Sequence, residues 1–200
     1  MKNSMAGMRR IASNIMDNFA KIQEIFFSGI QAFRGDYESI NEIAFLVDEC
    51  FLAFDEISIG TKEKYHAFLD NLISDEHAFD IASGGGKNHK ALKLLAAEYL
   101  KQINIKNIQY EHLFCGYYPD VMYADGSIVV ECGHTQNPEK LLAYFQHGNT
   151  QECIQIPYPI CEDKHIKGFR FVAKDGLKDF LDFRDQQNIQ QIKDIKNAKK

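Results

Sequence analysis

The Asp-Gly pair at Asp125-Gly126 stands between two apolar runs, and it constrains this chain more than any other local feature. Asp-Gly in a short loop favours the tight primed turn that matches the twist of two flanking strands. Residues 117–123 precede it, and residues 127–131 follow with Ile128, Val129 and Val130, a β-branched run suited to a strand. The spacing predicts an antiparallel hairpin here. Residues 107–113 read as a further strand ahead of it. Residues 90–101 read as a helix with Leu92, Leu95, Ala96 and Tyr99 on one face. Asn137-Pro138 opens another helix, with proline in its first turn, that runs through Leu141, Leu142, Tyr144 and Phe145 to a stop at Gly148. Residues 152–157 read as a last strand. The expected order is helix, three strands, helix, strand, in a mixed α/β (α+β) fold.

The first eighty residues carry a different pattern. Ile11, Ile15, Phe19, Ile22, Ile25 and Phe26 recur at three- and four-residue steps, as an apolar helical stripe does. A second stripe passes through Ile40, Ile43, Ala44, Val47, Phe51 and Phe54 to a stop at Ile59-Gly60-Thr61, and Thr61 is a candidate N-cap for a third helix over 62–73. The run Ser83-Gly84-Gly85-Gly86 is the strongest punctuation in the chain. The reading is therefore a helical region over 1–83, an α/β domain over 84–175, and a charged helix over 176–200 that frays into a tail.

Composition narrows the classes of function. No apolar stretch is long enough for a membrane span, and the basic start MKNSMAGMRR is not followed by a secretory apolar segment. A cytoplasmic protein is expected, with the five cysteines as free thiols. The net charge of −5 is uneven: residues 1–83 hold 7 Lys/Arg against 14 Asp/Glu, whereas residues 84–200 hold 16 against 14. A nucleic-acid partner would therefore engage the second half, and the helical first half is the place for a protein partner.

Two carboxylates carry the candidate chemistry. Asp120 follows Pro119 at the head of one hairpin strand, and Glu131 ends the apolar run on the other. A carboxylate in a buried strand costs desolvation unless a cation compensates it, and two brought together repel. A divalent metal relieves both, and Mg²⁺ or Mn²⁺ takes such oxygen ligands.

In this order of elements, with Tyr118-Pro119-Asp120-Val121 and Glu131-Cys132-Gly133 in place, residues 84–160 resemble the PD-(D/E)xK nuclease superfamily. The stretch from Gly86-Lys87-Asn88-His89-Lys90 is similar to a subgroup in which a His and a Lys open the first helix. The resemblance implies metal-dependent phosphodiester hydrolysis on DNA, with Asp120, Glu131 and the Cys132 carbonyl as ligands of Mg²⁺ or Mn²⁺. The chain departs from the pattern twice. Gly133 stands where the motif lysine belongs, so Lys140, one turn into the next helix, is the substitute cation and His134 the second candidate. The acid that often precedes the first-helix His is absent, and Glu98 is the only acidic replacement on that helix. A catalytically inactive relative that binds nucleic acid or a protein partner is the alternative these departures leave open.

Three further readings complete the sequence. Gly84-Gly85-Gly86-Lys87 lacks the spacing of a P-loop, but Lys87, His89, Lys90 and Lys93 are candidates to hold a nucleic-acid backbone, set against a plain linker with a solvated basic helix start. His112, Cys115, Cys132 and His134 have the composition of a zinc site, although Cys-x-His with a single spacer is an uncommon ligand geometry. Zinc ranks below Mg²⁺. Tyr117, Tyr118, Tyr123, Tyr144 and Phe145 read as core aromatics.

Overall fold

The structure is a computed structural model that describes residues 18–26, 37–74, 86–133, 137–160 and 164–198. The helices are α1 over 18–26, α2 (Tyr37–Asp48), α3 (Lys62–Ser74), α4 (Lys87–Gln102), α5 (Glu139–His147) and α6 (Leu177–Ala198). The strands are β1 (Leu52–Thr61), β2 (Ile108–Tyr110), β3 (Val121–Tyr123), β4 (Ile128–Cys132), β5 (Glu152–Ile156) and β6 (His165–Ala173). All six form one sheet in the order β1-β6-β5-β4-β3-β2. Only β4 and β5 run parallel, and the connection between them is α5, as a parallel crossover requires. The expected mixed α/β class is found.

Side-chain alternation makes three layers from this sheet. Val121 and Val130 face α3 and α4, in a core with Ile59, Leu92, Leu95, Leu100, Ile154 and Ile166. Their neighbours Met122 and Val129 face the other way, into a core with Ile22, Ile40, Leu141, Tyr144, Phe171 and Leu181. A strand with apolar residues on both faces is buried from both sides, which is why β4 reads as a continuous apolar run.

The segment from Asn107 to Ile156 follows the sequence reading, with shorter strands. Gly126 takes φ +78° in the hairpin turn, and the Ser127 N–H donates to Asp125 Oδ1 at 2.8 Å. Asn137 Oδ1 accepts the Glu139 N–H at 3.1 Å at the start of α5. Thr61 caps α3 as expected, its Oγ1 accepting the Lys64 N–H at 3.3 Å.

Three expectations are corrected. Residues 52–61 are a strand, not the end of a helix. Helix α2 stops at Asp48, Cys50 turns the chain at φ +61°, and β1 pairs along its length with β6. Phe51 and Phe54 continue the helical spacing of α2 by coincidence, while Leu52 and Ile59 lie on opposite faces of a pleated strand. The region over 1–83 is therefore not purely helical, and elements from both sides of residue 84 share one sheet. The pairing fits closely: a Cβ on Gly168 of β6 would lie 2.6 Å from Ile59. Second, β6 itself has no counterpart in the sequence reading. Third, α6 continues as helix to Ala198 in place of the expected frayed tail.

Candidate functional site

Asp120 lies one step before β3, opposite Glu131 if the Val121–Val130 pairing is continued. It sits in a bend, outside the regular strand, and its carboxylate turns toward α4. Oδ1 is 2.9 Å from His89 Nε2 and 3.1 Å from Lys93 Nζ, and Oδ2 accepts the Cys132 N–H at 2.7 Å. Burial alone would raise this carboxyl, but the His89 bond, the Cys132 N–H and the charge of Lys93 together hold it below the usual range. Lys93 is fully buried and also donates to Glu111. Burial works against its charge, yet the two carboxylates lift the Lys93 ammonium above its ordinary value.

Glu131 is engaged from the opposite layer. Its carboxylate is buried and accepts the Tyr144 hydroxyl at 2.6 Å on Oε1. Lys140 Nζ lies 3.4 Å from both oxygens. Lys140 and Tyr144 are four residues apart, so they share one face of α5 above Glu131. Burial pushes Glu131 up to about 7; Lys140 and Tyr144 pull it down, while the charge of Asp120 raises it. The site thus joins an ionised carboxylate fixed to α4 with one fixed to α5 that titrates near neutrality.

The geometry also accounts for glycine at position 133. Gly133 has φ +79°, and a Cβ there would lie 2.8 Å from the Tyr158 ring. A side chain at position 133 would have to displace the end of Tyr158, and the cation beside Glu131 comes from α5, as Lys140. His134, the second candidate, falls outside the described residues.

Other expectations divide. Of the four residues assigned to a nucleic-acid backbone, Lys87 is exposed, but Lys90 and Lys93 are buried and His89 is turned to Asp120. The α4 face that carries them packs on the sheet, so Lys90 and Lys93 cannot serve as surface cations. Gly84 and Gly85 fall outside the described residues. Glu98 pairs with Lys64 of α3 at 2.8 Å, away from Asp120. Among the described residues no group of three His, Cys, Asp or Glu is arranged to hold a metal. The zinc set is not gathered either: Cys115 packs on the α5 side of the sheet, Cys132 on the α4 side, and His112 is exposed. Tyr144 and Phe145 are core as expected and Tyr117 is half-buried, but Tyr118 is exposed.

Two site residues escape the sequence reading. Tyr144 reads as core, although its spacing from Lys140 marks both as heads on one helix face. Glu111 gives no signal, because only the fold places it beside Lys93.

Comparison with family models, with curated proteins and with solved structures gives no match to this chain. The fold and site define a mixed α/β protein with a buried carboxylate pair at one end of its sheet. No helix among the described residues is long and apolar enough to cross a membrane.

Proposed function

We propose that this chain hydrolyses phosphodiester bonds in DNA, assisted by Mg²⁺ or Mn²⁺, as a divergent PD-(D/E)xK-type nuclease of the cytoplasm. The observation that carries the reading is Lys140 over both oxygens of the buried Glu131, with the Asp120 carboxylate just ahead of the neighbouring strand raising the Glu131 carboxyl. The donors are oxygens of the kind a hard dication takes, but Asp120 is held from the α4 layer and Glu131 from the α5 layer, so a shared ion requires one carboxylate to leave its partners and turn toward the other. Among described partners, Asp120 Oδ2 and Glu131 Oε2 each accept one hydrogen bond, and a carboxylate oxygen has room for two. Asp120, Glu131 and the Cys132 carbonyl would hold the ion. When bound, it would supply Lewis-acid polarisation of the phosphate and a more acidic water.

The residues of the chain do the rest. Lys93, His89 and the Cys132 N–H keep Asp120 ionised and oriented. Lys140 lies at 3.4 Å, longer than a strong charge-assisted bond, and is a quarter exposed. A loosely held ammonium can turn to a phosphate oxygen as negative charge develops there. Tyr144 fixes the Glu131 carboxylate from below.

The test is cleavage of plasmid and single-stranded DNA in Mn²⁺. Lys140→Ala and Glu131→Ala should each lose on the order of a hundredfold in rate. Loss in His134→Ala with Lys140→Ala unaffected would move the cation to His134. Wild type no better than Glu131→Ala on either substrate rejects hydrolysis.

A second reading, a non-catalytic protein that binds nucleic acid or a protein partner, is favoured by one observation. Asp120 already has Lys93 and His89, and Glu131 has Lys140, so burial of both acids is compensated without a metal.

A further inference from the structure

Between β2 and β3 the chain makes a second, very small hairpin. Phe114 and Tyr117 exchange both backbone hydrogen bonds, N to O at 2.8 and 3.0 Å, across Cys115 and Gly116. Both turn residues have positive φ, 52° and 84°, as tight primed turns require. The inner face is anchored. The Phe114 and Tyr117 rings lie 5.9 and 6.1 Å from the Tyr144 ring, and Tyr144 in turn holds Glu131. The outer pair, Leu113 and Tyr118, is one residue further along each arm, and both are largely exposed, at 56% and 60%. Pro119 and Asp120 follow at once and are buried, so the backbone under the Tyr118 ring is clamped to the site. The result is a finger, anchored on its inner face by Tyr144 and at its base by Asp120, that presents a phenol ring and a leucine to solvent.

We propose that this finger is a stacking platform for an unpaired nucleobase, so that the preferred partner is single-stranded nucleic acid. This rests on the nucleic-acid reading of the site and specifies its substrate. A base has a π-face and an anionic backbone on either side of it. An exposed ring on a fixed support takes the first without loss of its own freedom. The second is matched by Lys178, exposed next to Leu177, which shares a core cluster with Cys115 at the tip. A paired base in a duplex has both faces covered and gains nothing from the ring.

The chain contains no tryptophan, so Tyr118→Trp supplies a lone reporter. With a fluorescein-labelled oligothymidylate and a duplex of equal length as probes, wild type should bind the single strand better. Tyr118→Ala should weaken single-strand binding roughly tenfold and leave the duplex alone, and Tyr118→Phe should retain it. The indole emission of Tyr118→Trp should quench on saturation with unlabelled oligothymidylate. Equal losses on both probes, or single-strand binding unchanged in Tyr118→Ala, would overturn the platform. So would a wild-type dimer, seen by sedimentation, that Tyr118→Ala dissolves, since the pair would then be a protein contact. The two readings fail separately. Wild type that stacks the oligonucleotide but never cuts it loses hydrolysis and keeps the platform. A Tyr118→Ala variant that cuts as well as wild type, with unchanged binding, loses the platform and keeps hydrolysis.

Discussion

The Tyr158 ring occupies the space into which any side chain at position 133 would grow, with ring atoms 2.8 to 2.9 Å from a Cβ built on Gly133. The left-handed backbone at this position adds strain for any other residue. Gly133→Ala is expected to cost about 1–3 kcal/mol and to lower Tm by several degrees in a thermal melt. Gly133→Lys, which restores the motif in sequence, should fold less well and gain no cleavage. Unchanged Tm in Gly133→Ala would mean that Tyr158 can move aside.

Glu131 gives the stability curve a sign. Its ordinary value is 4.5 and burial takes it to about 7, so the folded state binds the proton more tightly. Its contribution is full below pH 4.5 and is lost as pH climbs through 7. Glu131→Gln should therefore raise Tm at pH 8 and change little at pH 5, by at most about 3 kcal/mol. Tyr144→Phe removes a bond to the ionised form and should shift the loss to higher pH. Melts across pH 4 to 9 check both.

Lys93 is the cation on which two carboxylates depend. Lys93→Met leaves Asp120 buried with only His89 and a backbone N–H to offset its charge. A loss on the order of 3–5 kcal/mol is expected. Adding Asp120→Asn should recover a sizeable part, measured as a double-mutant cycle in urea, because the pair is coupled. Strict additivity would mean the two do not interact.

If a dication binds, it must displace the proton held by Glu131. Mn²⁺ should raise Tm through native-state binding, more at pH 8, where Glu131 is already ionised, than at pH 6, where binding should release a proton measurable in weakly buffered solution. Asp120→Asn should abolish the shift. A zinc-only shift that Cys132→Ser removes would assign the metal to thiol chemistry.

What is legible in the sequence is local. The Asp-Gly turn, the β-branched run of β4 and the stripe of α4 each carry their signal within a dozen residues, and all three form where expected. Strand β6 escapes notice because Lys167, Gly168 and Arg170 blur its alternation, and pairing with β1 and β5 is decided by residues far away in the chain. The same distance effect hides β1. At the site, Asp120 and Glu131 are visible as acids near strand ends, and Lys140 as a base at the start of the next helix. Their partners are not: Lys93 and His89 read as surface cations because a helix pattern does not say which basic residue will meet a buried acid.

The pairing of β1 with β6 has a practical meaning. A fragment starting near residue 84 looks like the smallest unit that keeps both carboxylates, but it would leave β6 with a bare row of N–H and C=O groups. It would also uncover the apolar surface now shielded by Ile22, Ile40 and Leu52. Such an edge is a template for the next molecule's strand, and the product would self-associate before it could be assayed. The first eighty residues are a guard on the sheet, whatever else they do.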